Sequence, residues 1–154
     1  MLTDQERQEI EHEMAHYPDG HSVCIEALKI AQKHRGWISD DTLQDIAVFL
    51  GMTGDELDNV ATFYNLLYRK PVARHVILIC DSVSCWIMGY EVLREHFRSS
   101  MGLVLGGTTP DQRFTLLPIV CLGACGGAPA MMVDGDLYEN LDPAKIDRIL
   151  EKYK

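Results

Sequence analysis

Positive charge is scarce in this chain. Of its 154 residues, 14 are Lys or Arg against 23 Asp or Glu, a formal net charge of −9. Residues 1–70 hold six Lys/Arg against thirteen Asp/Glu; residues 71–154 hold eight against ten. An acidic chain repels phosphate backbones and anionic headgroups, so nucleic acid and a lipid surface are not expected as partners. Also lacking are a Walker loop and a G-x-G-x-x-G turn, so any nucleotide or flavin is expected on another chain. The first residues, MLTDQERQEIEHEM, show neither a basic stretch nor an apolar core of the secretory kind, and the expected compartment is the reducing cytoplasm. One long uncharged run exists, Phe114 to Val133, but Pro118, Pro129, Gly123, Gly126 and Gly127 interrupt it. A membrane-spanning helix needs an unbroken set of internal backbone hydrogen bonds. The run therefore reads as a buried strand followed by a loop, without direct membrane insertion.

The length suits one ordinary domain, or a small domain with a helical extension. Two patterns divide it near Pro71. Residues 1–70 carry apolar residues at spacings of three and four, the mark of amphipathic helices, and form an expected helical bundle. Thr3 with Glu6 and Thr53 with Glu56 have the spacing of capping boxes. Ser22 is expected to cap a helix from Val23 to about His34 that Gly36 ends; Ser39 or Asp40 is expected to cap another that ends at Gly51. Leu57, Val60, Ala61 and Tyr64 are expected on the inner stripe of the fourth helix.

Residues 71–154 switch to short β-rich runs. His75–Cys80 (HVILIC) and Phe114–Val120 read as strands, with one helix expected between them from about Trp86 to Arg98. Ala130–Val133 and Leu137–Glu139 flank Asp134-Gly135, a preferred two-residue hairpin turn. Asp142 before Pro143 opens a last helix. The order β-α-β-β-β-α predicts an α+β chain: a helical domain, 1–70, then a small mixed sheet with flanking helices, 71–154.

Four of the five cysteines form two pairs, Cys80-x4-Cys85 and Cys121-x3-Cys125, with 35 residues between them. Each pair follows a predicted strand. Loops leaving neighbouring strands at one end of a sheet lie side by side, so the pairs can converge. Four thiolates suit a [2Fe–2S] cluster, and these spacings also lie in the range of structural zinc. Neither pair has the C-x-x-C spacing of a redox dithiol, and no histidine lies in either loop for a Rieske centre. Cys85 at an expected helix start would be favoured as thiolate by free N–H groups. The three glycines of the second loop would let backbone N–H groups approach sulfur, while Leu122, Ala124, Ala128 and Pro129 would limit water. No Lys or Arg lies between Arg113 and Lys145, so backbone dipoles must supply much of the local stabilisation.

The segments Cys80-Asp-Ser-Val-Ser-Cys85 and Cys121-Leu-Gly-Ala-Cys-Gly-Gly-Ala-Pro129 resemble the two ligand loops of the thioredoxin-like [2Fe–2S] ferredoxins. The likeness extends through Ala61-Thr-Phe-Tyr-Asn65 and Gly107–Pro118. It implies a thioredoxin-like second domain and one [2Fe–2S] cluster on Cys80, Cys85, Cys121 and Cys125, with no catalytic residue in this chain. It implies an electron-transfer subunit of an NADH:quinone oxidoreductase, or of an NAD-linked hydrogenase or formate dehydrogenase. The partner would be the FMN- and NADH-binding subunit, in the peripheral arm on the cytoplasmic side of the membrane. Pro129 takes the place of the proline that thioredoxin-like folds hold in cis. Two other classes stand beside this reading. One is a zinc-stabilised interaction module. The other is a free ferredoxin, for which seventy helical residues have no use. Exposed parts of the helical half could support a homo-oligomer.

Other residues look chemical. His12-Glu13-Met14-Ala15-His16 spells the H-E-x-x-H of zinc proteases, yet Pro18 closes the helix at once, and the plain reading is a solvated acidic helix. Cys24 is expected to be a small buried residue of the second helix. Trp86 and Met88 are expected to pack in the helix interface.

Overall fold

The helix starts expected from Thr3, Ser39, Thr53 and Asp142 are all made in a computed structural model that describes residues 1–154. The chain separates into two units, Met1–Pro71 and Val72–Lys154.

The first unit holds α1 (Asp4–Met14), α2 (Cys24–Arg35), α3 (Asp40–Leu50) and α4 (Gly54–Phe63). Both capping boxes are closed: Thr3 and Thr53 accept from the backbone of Glu6 and Glu56, whose carboxylates accept in return. Each such cap satisfies N–H groups that the first turn leaves without partners. Gly36 and Gly51 end α2 and α3 at φ 80° and 72°. One start differs. Ser22 caps nothing; its N–H and hydroxyl both donate to Asp19, and α2 begins after Val23 without a side-chain cap. An aspartate three residues upstream competes successfully for the same short serine. Tyr64 also departs from expectation, because α4 stops at Phe63 and the tyrosine is exposed.

The core of this unit is the inner stripe of the helices: Ile10, Ala27, Leu28, Ala31, Ile46, Ala47, Leu57 and Ala61 are fully buried. One charged side chain joins them. Glu6 is 0% exposed. Its Oε1 and Oε2 accept from the Arg35 guanidinium at 2.6 Å each, and Oε2 also accepts from the Thr3 N–H at 2.7 Å. The Arg35 hydrogen bonds outweigh burial and hold the Glu6 pKa at about 2 rather than 4.5.

The second unit is a four-stranded sheet in the order β2-β1-β3-β4: β1 (His75–Cys80), β2 (Phe114–Ile119), β3 (Met131–Val133) and β4 (Asp136–Tyr138). The strand β1 pairs parallel with β2 and antiparallel with β3, so it is central and buried from Val76 to Cys80. The turn between β3 and β4 is the expected one, with Asp134 and Gly135 both at positive φ, 50° and 100°. A parallel pair needs a crossover. Here it is two helices rather than one, α5 (Val83–Ile87) and α6 (Tyr90–Met101), broken at Gly89, whose φ of 121° ordinary residues avoid. The last helix, α7 (Pro143–Leu150), adds Ile146, Ile149 and Leu150 to a core of Ile77, Ile79, Leu93, Phe97, Phe114 and Leu116. No helix in the chain is long and apolar enough to cross a membrane.

Candidate metal centre

The sheet order decides where the cysteines meet. Cys80 ends β1, and its register partner on β2 is Ile119, the last residue of that strand. The two parallel strands thus finish side by side. The chain leaving β2 must next reach β3, which lies on the opposite side of β1. Residues 120–130 therefore cross the end of β1, over Cys80. Two backbone hydrogen bonds mark the crossing: the Asp81 N–H donates to Ile119 O and the Cys80 N–H to Ala130 O, each at 3.1 Å. Cys85 lies in the first turn of α5, two residues past its start, while Cys121 and Cys125 lie on the crossing segment, the latter opening a single 3-10 turn to Gly127.

The four side chains differ in exposure. Cys80 and Cys85 are buried beneath the loop; Cys121 and Cys125 face outward, and all four are free thiols. Burial pushes the Cys85 thiol up to about 11, reinforced by its hydrogen bond with Cys80 and by the nearby charge of Cys125. Desolvation thus outweighs the helix start on which the thiolate expectation rested, in a helix of only five residues. Neighbouring backbone does supply donors to sulfur: the Gly123 N–H to Cys121 Sγ at 3.3 Å, and the Ala130 N–H to Cys85. Gly123 adopts φ 74° to do this. Gly127 serves a different end, since a Cβ there would lie 2.7 Å from atoms of Glu139. The Ala128–Pro129 peptide is cis. Ala128 and Pro129 are buried, whereas Leu122 and Ala124 are half-buried, so the loop shields sulfur from below rather than from its outer side.

This donor set fits a dinuclear iron group. A tetrahedral zinc ion needs all four thiolates about one point. No three His, Cys, Asp or Glu side chains in the chain converge closely enough to hold one ion. A [2Fe–2S] group asks only for cysteine pairs, one pair to each iron. Cys85 has a hydrogen bond with Cys80 and feels the charge of Cys125, so members of both pairs are neighbours.

The surface around the loops was not legible beforehand. Trp86 and Met88, expected to pack inside, are 59% and 61% exposed. Val83, Ile87 and Val120 are exposed as well. They flank Cys85 and Cys121 in the chain, so the sequence around two of the cysteines is apolar and exposed. The break at Gly89 explains the error. α5 is a separate short helix that buries only Cys85.

Elsewhere, the H-E-x-x-H segment does not form the two-histidine helical face that the motif requires. α1 stops at Met14, so His16 lies outside the helix, and His12 is exposed with its Nδ1 3.7 Å from Glu13. Cys24 is buried as expected, and burial raises its thiol pKa.

The family model described as thioredoxin-like [2Fe–2S] ferredoxin matches residues 10–154. The chain is 46% identical to the E-type subunit of NADH-quinone oxidoreductase from Pseudomonas aeruginosa and 48% identical to its counterpart from Escherichia coli. Each match spans 99% of this chain and 92% of the relative. Among solved structures, an NAD+-reducing [NiFe]-hydrogenase in the H2-reduced state matches with a TM-score of 0.70 at 26% identity, over 84% of this chain and 22% of that one.

Proposed function

Because this chain belongs to the thioredoxin-like [2Fe–2S] ferredoxin family, we propose that Cys80, Cys85, Cys121 and Cys125 hold one [2Fe–2S] cluster beside a flavin on a partner chain. The parent assembly is an NADH-quinone oxidoreductase, in which this chain is the E-type subunit; relatives of that name match at 46–48% identity over nearly their full length. The likeness to the hydrogenase is lower and touches about a fifth of that chain, so it ranks second. The observation that supports the reading is the crossing of residues 120–130 over the end of β1, which carries Cys121 and Cys125 on a segment that passes Cys80.

When bound, the cluster accepts and returns single electrons, which complements a flavin that takes two from NADH as hydride. The chain's own residues do the rest. The four thiols must lose their protons to ligate, and the raised Cys85 pKa makes loading easier at higher pH. The Gly123 and Ala130 N–H groups stabilise negative charge on the two sulfurs they reach. No side chain here is assigned to proton or hydride transfer. FMN and NADH belong to the partner, and the exposed apolar side chains of Val83, Trp86, Ile87, Met88 and Val120 are the surface we assign to it. A contiguous exposed apolar patch is costly in water unless something covers it.

The test is anaerobic iron–sulfide loading of the purified chain, then co-purification with the FMN-binding subunit. About two irons per chain, with a reddish-brown spectrum that bleaches on reduction, are expected. A colourless chain holding one zinc would overturn the cluster. For the docking face, Ile87→Asp is expected to leave that spectrum intact and weaken partner association at least tenfold, about 1.4 kcal/mol. Unchanged affinity would place the interface elsewhere. The loaded chain alone is expected not to oxidise NADH.

A further inference from the structure

Gly127 is a loop residue two positions past Cys125, yet it is buried. What covers it is the side chain of Glu139. A Cβ built on Gly127 would lie 2.7 Å from Glu139 Cβ and Cδ and 2.8 Å from its Oε1. Backbone contacts clip the same segment to the ligand loop: the Asn140 N–H donates to Gly127 O at 2.5 Å and the Leu141 N–H to Pro129 O at 3.1 Å. The side chain thus lies against the turn that Cys125 opens, on a backbone clipped to it. Two trans-linked Cα–Cα steps span at most about 7.6 Å, so the Glu139 carboxylate lies within roughly 12 Å of the Cys125 backbone. One cation is near. Lys145 Nζ donates to the Glu139 backbone carbonyl at 2.6 Å, not to its carboxylate. The crossing loop itself holds no Lys or Arg.

We infer that Glu139 is a potential-setting residue of this centre, an assignment that rests on the cysteine ligation proposed above. Its warrant is electrostatic. One electron arriving from the partner's reduced flavin adds one negative charge to the ligated iron pair. A carboxylate close by opposes that charge and lowers the reduction potential. Gly127 is the accomplice: only a residue without Cβ lets the carboxylate lie so close. At about 12 Å, with a dielectric between that of a protein surface and that of water, the carboxylate changes the reduced-to-oxidised ratio roughly two- to tenfold. A tenfold change in that ratio is about 59 mV for one electron.

The experiment is an EPR-monitored redox titration of the cluster-loaded full chain, comparing wild type with Glu139→Gln, Glu139→Lys and Glu139→Asp. Glu139→Gln is expected to raise the reduced-to-oxidised ratio about two- to tenfold at the wild-type midpoint, and Glu139→Lys to raise it further. Glu139→Asp, which keeps the charge, is expected to stay closer to wild type than Glu139→Gln. Because the carboxylate is exposed to solvent, these differences should shrink in about 1 M salt, a response that a purely structural role for Glu139 would not give. Coincident midpoints for wild type, Glu139→Gln and Glu139→Lys, with cluster spectra intact, would overturn the inference and leave the ligation untouched. A wild-type chain that takes up no cluster would overturn the ligation, and this inference with it.

Discussion

Cys121→Ala is expected to abolish the [2Fe–2S] spectrum, and Cys24→Ala to leave it whole. The contrast is the largest effect expected of any single substitution here, and burial makes it informative. Cys121 is exposed, so its removal takes little packing from the chain without iron. A surface change of this kind costs within about 0.5 kcal/mol. With iron, the loss is of another order: one iron is left with an open position, and metal-binding free energy is folding free energy. The stability difference between wild type and Cys121→Ala should therefore be near zero without iron and several kcal/mol with it, by an order-of-magnitude reading of that coupling. Cys24 behaves oppositely. It is buried in the first unit, so Cys24→Ala costs some packing there while iron content and colour stay at the wild-type level. Visible absorption, EPR and iron per chain, measured beside urea unfolding with and without iron, check both halves. A bleached Cys24 variant with a coloured Cys121 variant would reverse the assignment.

Glu6→Ala is expected to destabilise the chain by about 2–3 kcal/mol, below the usual cost of about 3–5 kcal/mol for a fully buried ion pair because the stranded Arg35 is only half-buried. Three contacts meet on this carboxylate, two from the Arg35 guanidinium and one from the Thr3 backbone. Removing it strands a guanidinium whose remaining partners are Thr42 Oγ1 and Met1 O, and it opens the capping box of α1. Against a typical total of about 5–15 kcal/mol, that loss is large. Replacing both partners together, Glu6→Leu with Arg35→Met, should cost far less, because no charge is then left buried alone. Urea unfolding of the single and double variants decides between these outcomes; equal losses would show that the pair matters through packing.

The same carboxyl sets a pH dependence. Its folded pKa, about 2, lies below the unfolded value near 4.5. The unfolded chain therefore binds the proton first as pH falls. The contribution is fully present above pH 4.5 and is lost as pH falls through about 2. At 1.36 kcal/mol per pH unit it amounts to on the order of 3 kcal/mol. Glu6→Gln should flatten the stability profile in this acid window and leave its slope near neutral pH unchanged.

Much of the fold was legible from neighbours in the chain. Thr3, Ser39, Thr53 and Asp142 could be read as caps because a cap and its N–H are three residues apart. His75–Cys80 could be read as a strand because its short apolar run and β-branched content are local. Asp134-Gly135 carried its own turn geometry. The two cysteine pairs were legible for the same reason: each lies within a few residues of a strand end. The misreadings share a cause too. Ser22 had a competitor upstream in Asp19. The expected single helix from Trp86 was split at Gly89, which no periodicity count registers. Trp86 and Met88 looked like core because apolar residues in a helical run usually are.

What the sequence determined by itself was the chemistry: four sulfurs in two pairs, no competing histidine, no basic side chain among them, and no nucleotide loop. Those are properties of residue type and spacing, and folding does not alter them. Tertiary structure decided the rest. Placing β2 and β3 on opposite sides of β1 sends residues 120–130, with Cys121 and Cys125, across the strand end where Cys80 lies. Packing left α5 exposed and laid Glu139 on Gly127. Burial and through-space charge depend on groups far apart in the chain, and only the packed structure sets those distances.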